Sequence, residues 1–95
     1  MRYLVEHGLP PGITREEIEK LQKASVADKD IRGYRSFLNL SKGKGYCLFD
    51  APSRERLVGW LKEHEMPFDN IMEVELEGER GRWVELPTPV GAASR

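Results

Sequence analysis

Gly43-Lys44-Gly45-Tyr46-Cys47-Leu48-Phe49-Asp50-Ala51-Pro52 is the stretch from which the fold can be read. Its two glycines punctuate the chain as turn residues do. Tyr46 to Phe49 is a short apolar run bounded by turn signals, which suits a buried strand better than a helix. Ala51-Pro52-Ser53 then opens a helix, with Ser53 as the N-cap. On the amino-terminal side, Ser41 to Gly45 is a glycine-containing loop of hairpin length. The strand before it, Ile31 to Leu40, should therefore lie antiparallel beside the 46–49 strand. Alternation places Tyr34, Ser36 and Leu38 on one face of that strand and Arg35, Phe37 and Asn39 on the other.

The flanks repeat the pattern. Arg54 to Glu65 carries Leu57, Trp60, Leu61 and His64 at the i, i+3, i+4, i+7 spacing of a buried helical stripe, and Pro67 ends it. Asn70 to Glu77 reads as a strand, with Met72, Val74 and Leu76 alternating against a one-sided row of Glu73, Glu75 and Glu77. At the start of the chain, Tyr3, Val5 and His7 share one face of a first strand and Arg2, Leu4 and Glu6 the other. Gly8-Leu9-Pro10-Pro11-Gly12 stops it. Thr14-Arg15-Glu16-Glu17 has the form of a capping box, and Ile18, Leu21 and Ala24 follow on one helical face. The order β-α-β-β-α-β is the split-βαβ, ferredoxin-like plan. The expected fold is α+β, with two helices on one face of a four-stranded antiparallel sheet. Residues 1–77 form this domain. Residues 78–95 form an extension with a short strand at Arg82 to Leu86 and then a loose end, and Trp83 docks it onto the same chain or a partner.

Composition narrows the function classes. Ninety-five residues suit one domain with a small core, so pairing with a second copy would add useful burial. A net charge of −1 gives no strong field toward nucleic acid or an anionic membrane. One cysteine cannot form an internal disulfide. No apolar run approaches the roughly 18 residues of a membrane span. The chain begins directly on strand-like residues, with no signal-peptide pattern, so the expected address is the cytoplasm.

Several segments resemble a known family. They are Tyr3-x-Val5-Glu6, Arg35-Ser36-Phe37, Tyr46-Cys47-Leu48-Phe49-Asp50-Ala51-Pro52, and Pro67-x-Asp69-x-Ile71-x-Glu73-Val74. Together they resemble a family of small bacterial ferredoxin-like domains of unknown function that includes a nickel-binding protein. The resemblance covers residues 2 to 76 and implies a domain that often pairs, with a metal role in some members. Relatives often carry a histidine on the second helix where this chain has Trp60. A second resemblance is to RNA-recognition domains, through Lys42 to Phe49 and Leu9 to Thr14. Those domains stack bases on exposed aromatics, yet here Lys44 and Val5 occupy stacking positions and only Tyr46 remains. Nucleic acid is therefore not an expected partner.

The candidate site residues are Glu6, His7, Cys47 and Glu73, with Tyr46 and Asp50 as secondary candidates. Glu6 is either an exposed carboxylate paired across strands with Arg35 or a ligand or general base in a cavity over the open sheet face. Cys47 is either a small buried hydrophobe or a nucleophile or metal ligand. His7 is a surface residue or a metal ligand. If the fourth strand lies beside the first, Glu73 could approach Glu6 and make an oxygen-rich divalent-cation site. The leading expectation is a homodimeric protein, paired through its open sheet faces, that uses that open face to bind a small ligand or a divalent metal ion, with nickel suggested by the resemblance. The alternatives are a cofactor-free monooxygenase or isomerase of dimeric α+β barrel type, by fold analogy, and an RNA-binding module.

Overall fold

The computed structural model describes residues 1–86, apart from the side chain of residue 25. Strand β1 (Arg2–Gly8) is followed by helix α1 (Arg15–Ala27), strands β2 (Arg32–Asn39) and β3 (Lys44–Asp50), helix α2 (Arg54–Glu63) and strand β4 (Asn70–Glu73). The four strands form one antiparallel sheet in the order β2-β3-β1-β4. This α+β arrangement is compatible with the ferredoxin-like fold. β1 pairs with β3 through Leu4–Leu48, Val5–Cys47 and Glu6–Tyr46, and with β4 through Tyr3–Glu73, Leu4–Met72 and Glu6–Asn70.

Alternation along β1 sorts the two faces as the sequence suggests. Tyr3, Val5 and His7 are buried, while Arg2, Leu4 and Glu6 are only half-buried. The core joins Tyr3, Val5 and Phe49 to Leu57, Trp60 and Leu61 of α2, with Ile31 and Ala51. Both helices begin as their caps require. The Glu17 N–H donates to Thr14 Oγ1 at 3.3 Å, and the Arg56 N–H donates to Ser53 Oγ at 3.1 Å. α1 packs mainly beside β2, and none of its described side chains is fully buried.

Three local features depart from the sequence reading. α2 stops at Glu63 because Glu65 takes a left-handed φ of 54°. The Met66 N–H then reaches Leu61 O at 2.8 Å and the Glu65 N–H reaches Lys62 O at 3.1 Å, the bond pair of a Schellman cap. A bulge between Gly33 and Arg35 shifts the β2 register. It turns Tyr34 away from the Ser36 face: its hydroxyl donates to Asp50 Oδ2 at 2.8 Å, and the Arg2 guanidinium lies 4.2 Å over its ring.

The strand expected over 70–77 ends at Glu73. The Val74 N–H donates to Arg2 O at 2.9 Å, and the chain then leaves the sheet. It forms a separate hairpin of β5 (Leu76–Glu79) and β6 (Arg82–Glu85), which includes the expected short strand at Arg82. Arg80 and Gly81 turn this hairpin with φ of 51° and 85°, the positive-φ pair of a type I′ turn. The acidic row is thereby divided, and Glu77 pairs with Arg2 at 3.0 Å. Trp83 lies over Gly78 within its own hairpin, so closely that a Cβ there would come within 2.6 Å of the ring. The loose end expected beyond Leu86 lies outside the described residues.

Candidate functional site

His7 is the polar residue that the covered face encloses, at 4% exposure. It shares the face of Tyr3 and Val5, which puts its ring under the segment that links α2 to β4. Nδ1 lies 2.8 Å from the Pro67 carbonyl. A carbonyl only accepts, so Nδ1 carries the proton and Nε2 presents its lone pair. That lone pair has no hydrogen-bond partner. Burial lowers the imidazole pKa from its ordinary value, against the opposing pull of the Pro67 carbonyl and Asp69. The ring is thus neutral at pH 7.

Cys47 stands opposite Val5 on the neighbouring strand, on the same face as His7 and diagonal to it. The Ser36 hydroxyl, across from it on β2, donates to Cys47 Sγ at 3.3 Å. The Gln22 side-chain amide on α1 donates in turn to Ser36 Oγ at 3.2 Å. Burial raises the thiol pKa, and the Ser36 hydrogen bond partly offsets this. His7 and Cys47 both line a cavity of about 320 Å³, walled largely by apolar side chains such as Leu9, Ile18, Leu21 and Met66. The cavity exists because α1 is set against β2 without closing fully over the sheet.

The other expected residues lie elsewhere. Glu6 is on the open face, where Lys44 Nζ sits 3.3 Å from Oε1 and the Tyr46 hydroxyl 3.5 Å from it. Its ion pair is therefore with Lys44, not Arg35, whose guanidinium stacks 5.3 Å from the Phe37 ring centroid. Lys44 also bridges to Asp69 at 3.0 Å. Asp50 is held by Arg2 at 2.9 Å and by Tyr34. Glu73 does not approach Glu6. The register sets Glu6 opposite Asn70 and Glu73 opposite Tyr3, so their side chains leave opposite faces of the sheet. Glu73 Oε1 is buried without a partner, beside a recess that includes Tyr3 and Ser53. Of the four leading candidates, His7 and Cys47 share a cavity while Glu6 and Glu73 are apart from them and from each other. Among the described residues, no group of three or more His, Cys, Asp or Glu side chains is placed to hold a metal ion.

Ser36 and Gln22 are the polar neighbours that sequence reasoning missed. Ser36 carried a usable signal: once the hairpin register is known, it faces Cys47 directly. Gln22 carried none, because its reach depends on how α1 is set against β2.

The sequence profile of a family described as nickel responsive protein SCO4226-like matches residues 3–74. Among solved structures, the crystal structure of SCO4226 from Streptomyces coelicolor A3(2) superposes with a TM-score of 0.72 at 23% identity. It covers 82% of this chain and 100% of that chain. At that identity the likeness shows the fold alone. No curated protein matches the chain. The β5–β6 hairpin lies beyond the matched residues.

Proposed function

The chain belongs to the SCO4226-like nickel responsive protein family, and from that membership we propose that it binds a divalent cation of the nickel class and acts as a homodimer. The observation that supports a site most directly is that His7, whose Nε2 has no hydrogen-bond partner, lines the same cavity as Cys47. Imidazole nitrogen and thiolate sulfur both suit a borderline-soft divalent ion. These two residues would hold the cation; among the described residues no third His, Cys, Asp or Glu side chain is grouped with them. When bound, the cation supplies a Lewis-acidic centre and a positive charge at this wall.

The surrounding groups have definite roles in this reading. The Pro67 carbonyl fixes the ring tautomer and leaves the Nε2 lone pair uncommitted, as outer-shell acceptors do for metal-bound histidines. Burial keeps the imidazole neutral. Ser36 and Gln22 orient the sulfur and stabilise its anionic form. The thiol must release its proton to bind, so affinity rises with pH. An open-face cation site at Glu6 is disfavoured, because the Lys44 ammonium already occupies that carboxylate.

The open face supports the dimer instead. Phe37 and Met72 are each 51% exposed and Tyr46 is 41% exposed, beside half-buried Leu4 and Leu48. A solvated sheet face would be polar at these positions, and contiguous exposed apolar groups mark interfaces.

Metal analysis of the protein as purified, followed by equilibrium dialysis against nickel, tests the cation reading. Stoichiometric nickel in the wild type and a loss of at least about tenfold in affinity in His7→Phe are expected, as for loss of a ligating side chain. Equal nickel binding by wild type and His7→Phe contradicts it.

A further inference from the structure

On the premise that two copies pair through their open faces, we propose that the β5–β6 hairpin is an arm that docks on the open sheet face of the second copy, with Trp83 as its anchor. Trp83 is 70% exposed, Val84 56% and Leu76 51%. Directly paired residues of a hairpin share a face. Leu76, Gly78 and Trp83 therefore lie on one side, and Glu77, Glu79 and Val84 on the other. Glu77 is held by Arg2, which stands on the open face of its own sheet. The Trp83 side is thus turned away from the Arg2 of its own chain. The indole already rests against Gly78, so little side-chain freedom is lost when a partner covers it. Tryptophan is also among the side chains that most often anchor an interface.

The hairpin and the open face match in charge and in position. Residues 75–86 carry four glutamates against two arginines, a net charge of −2. On the open face, Arg2 is matched by Asp50 and Lys44 by Glu6. Arg32 and Arg35 are left over: they stack on Tyr34 and Phe37, and among the described residues no carboxylate pairs with either. The hairpin leaves the sheet from the β4 edge, at the end where the Val74 N–H bonds to Arg2 O. β2 is the opposite edge, and the register sets Arg2, Asp50 and Arg32 in one row at that same end. A two-fold axis parallel to the strands, between two facing sheets, lays the β4 edge of one copy over the β2 edge of the other at the same end. Each acidic hairpin then meets the unmatched arginines of the other copy, and the contact forms twice in each dimer.

Sedimentation equilibrium of the full chain gives the dimer dissociation constant. NMR on dimers mixed from isotope-labelled and unlabelled chains reads contacts between copies. The wild type should be a dimer, and Trp83→Ala should weaken it at least about tenfold. Raising salt from about 0.05 M to about 0.5 M should weaken the wild-type dimer severalfold. Trp83 is not part of the buried core, so Trp83→Ala should keep the wild-type fold. Nuclear Overhauser contacts from the Trp83 indole should reach β2 of the other copy. A wild-type dimer whose dissociation constant is unchanged in Trp83→Ala, or whose Trp83 contacts all lie within one chain, overturns the arm and leaves the pairing of open faces standing. A monomeric wild type overturns both.

Discussion

Leu57→Ala and Leu21→Ala make the same chemical change at two sites that the structure distinguishes sharply. Leu57, on α2, is 0% exposed and packed among Val5, Phe49, Trp60 and Leu61. Its truncation removes three carbons from a full core. At about 0.8 kcal/mol per buried methylene the transfer loss is about 2.4 kcal/mol, and the new void brings the cost to about 3–4 kcal/mol. Leu21, on α1, is only half-buried and already borders the cavity, so its loss enlarges an existing space. Roughly half of its surface is at stake and no separate void forms, which gives about 1 kcal/mol. A domain of this length has a total stability of about 5–14 kcal/mol, so the first change removes a large share of it and the second a small one. Urea titrations followed by tryptophan fluorescence, at one fixed protein concentration, measure both through the shift in midpoint at constant slope. Equal costs would refute the claim that α2 closes the core while α1 leaves a cavity.

Thr14→Ala should lower stability by about 1 kcal/mol, because the Glu17 N–H loses its cap, and the same urea titration reads it. His7 should make stability depend on pH. Its folded pKa lies below the unfolded value of about 6.5, so as pH falls through about 6.5 the unfolded chain takes up the proton first and stability declines. Above that range the ring is neutral in both states and contributes no slope. His7→Phe should flatten this acid limb, as midpoints measured between pH 5 and 8 would show. Size-exclusion chromatography with light scattering should give a dimer mass for the wild type and a monomer mass for Phe37→Glu, which places a charge amid the exposed apolar side chains of the open face. A monomer mass for the wild type at micromolar concentration would contradict pairing.

Local rules made the parts of the fold with strong short-range signals legible. The alternation of Tyr3, Val5 and His7 against Arg2, Leu4 and Glu6, and the two caps at Thr14 and Ser53, are local features and agree with the structure. The run from Glu73 to Glu77 misled because its alternation continues across a point where the chain leaves the sheet. What stops β4 is the absence of a longer β1 to pair with, since Val74 bonds to Arg2 at the start of that strand. The Tyr34 bulge had a local signal that went unused, since Gly33 inside a strand pattern is the kind of residue that marks a bulge.

The face of the candidate site was not legible: it was expected on the open face of the sheet, whereas His7 and Cys47 lie on the covered one. His7 has the parity of the buried residues, and Cys47 lies in the most strand-like run. Their shared cavity was not legible, because it depends on the hairpin register and on how far α1 stands from the sheet. The imagined meeting of Glu6 with Glu73 fails on register, a property that neither strand carries alone. The open face carries exposed Phe37, Tyr46 and Met72, and its carboxylate Glu6 is already matched by Lys44.

The most direct test of the central claim is an absorption titration of the metal-free protein with nickel. The wild type should develop a thiolate-to-nickel charge-transfer band that saturates, that is lost in Cys47→Ser, that weakens in His7→Phe, and that is unaffected by Glu6→Gln. No such band in the wild type, or a band that persists in Cys47→Ser, would contradict a site built on the His7 and Cys47 wall.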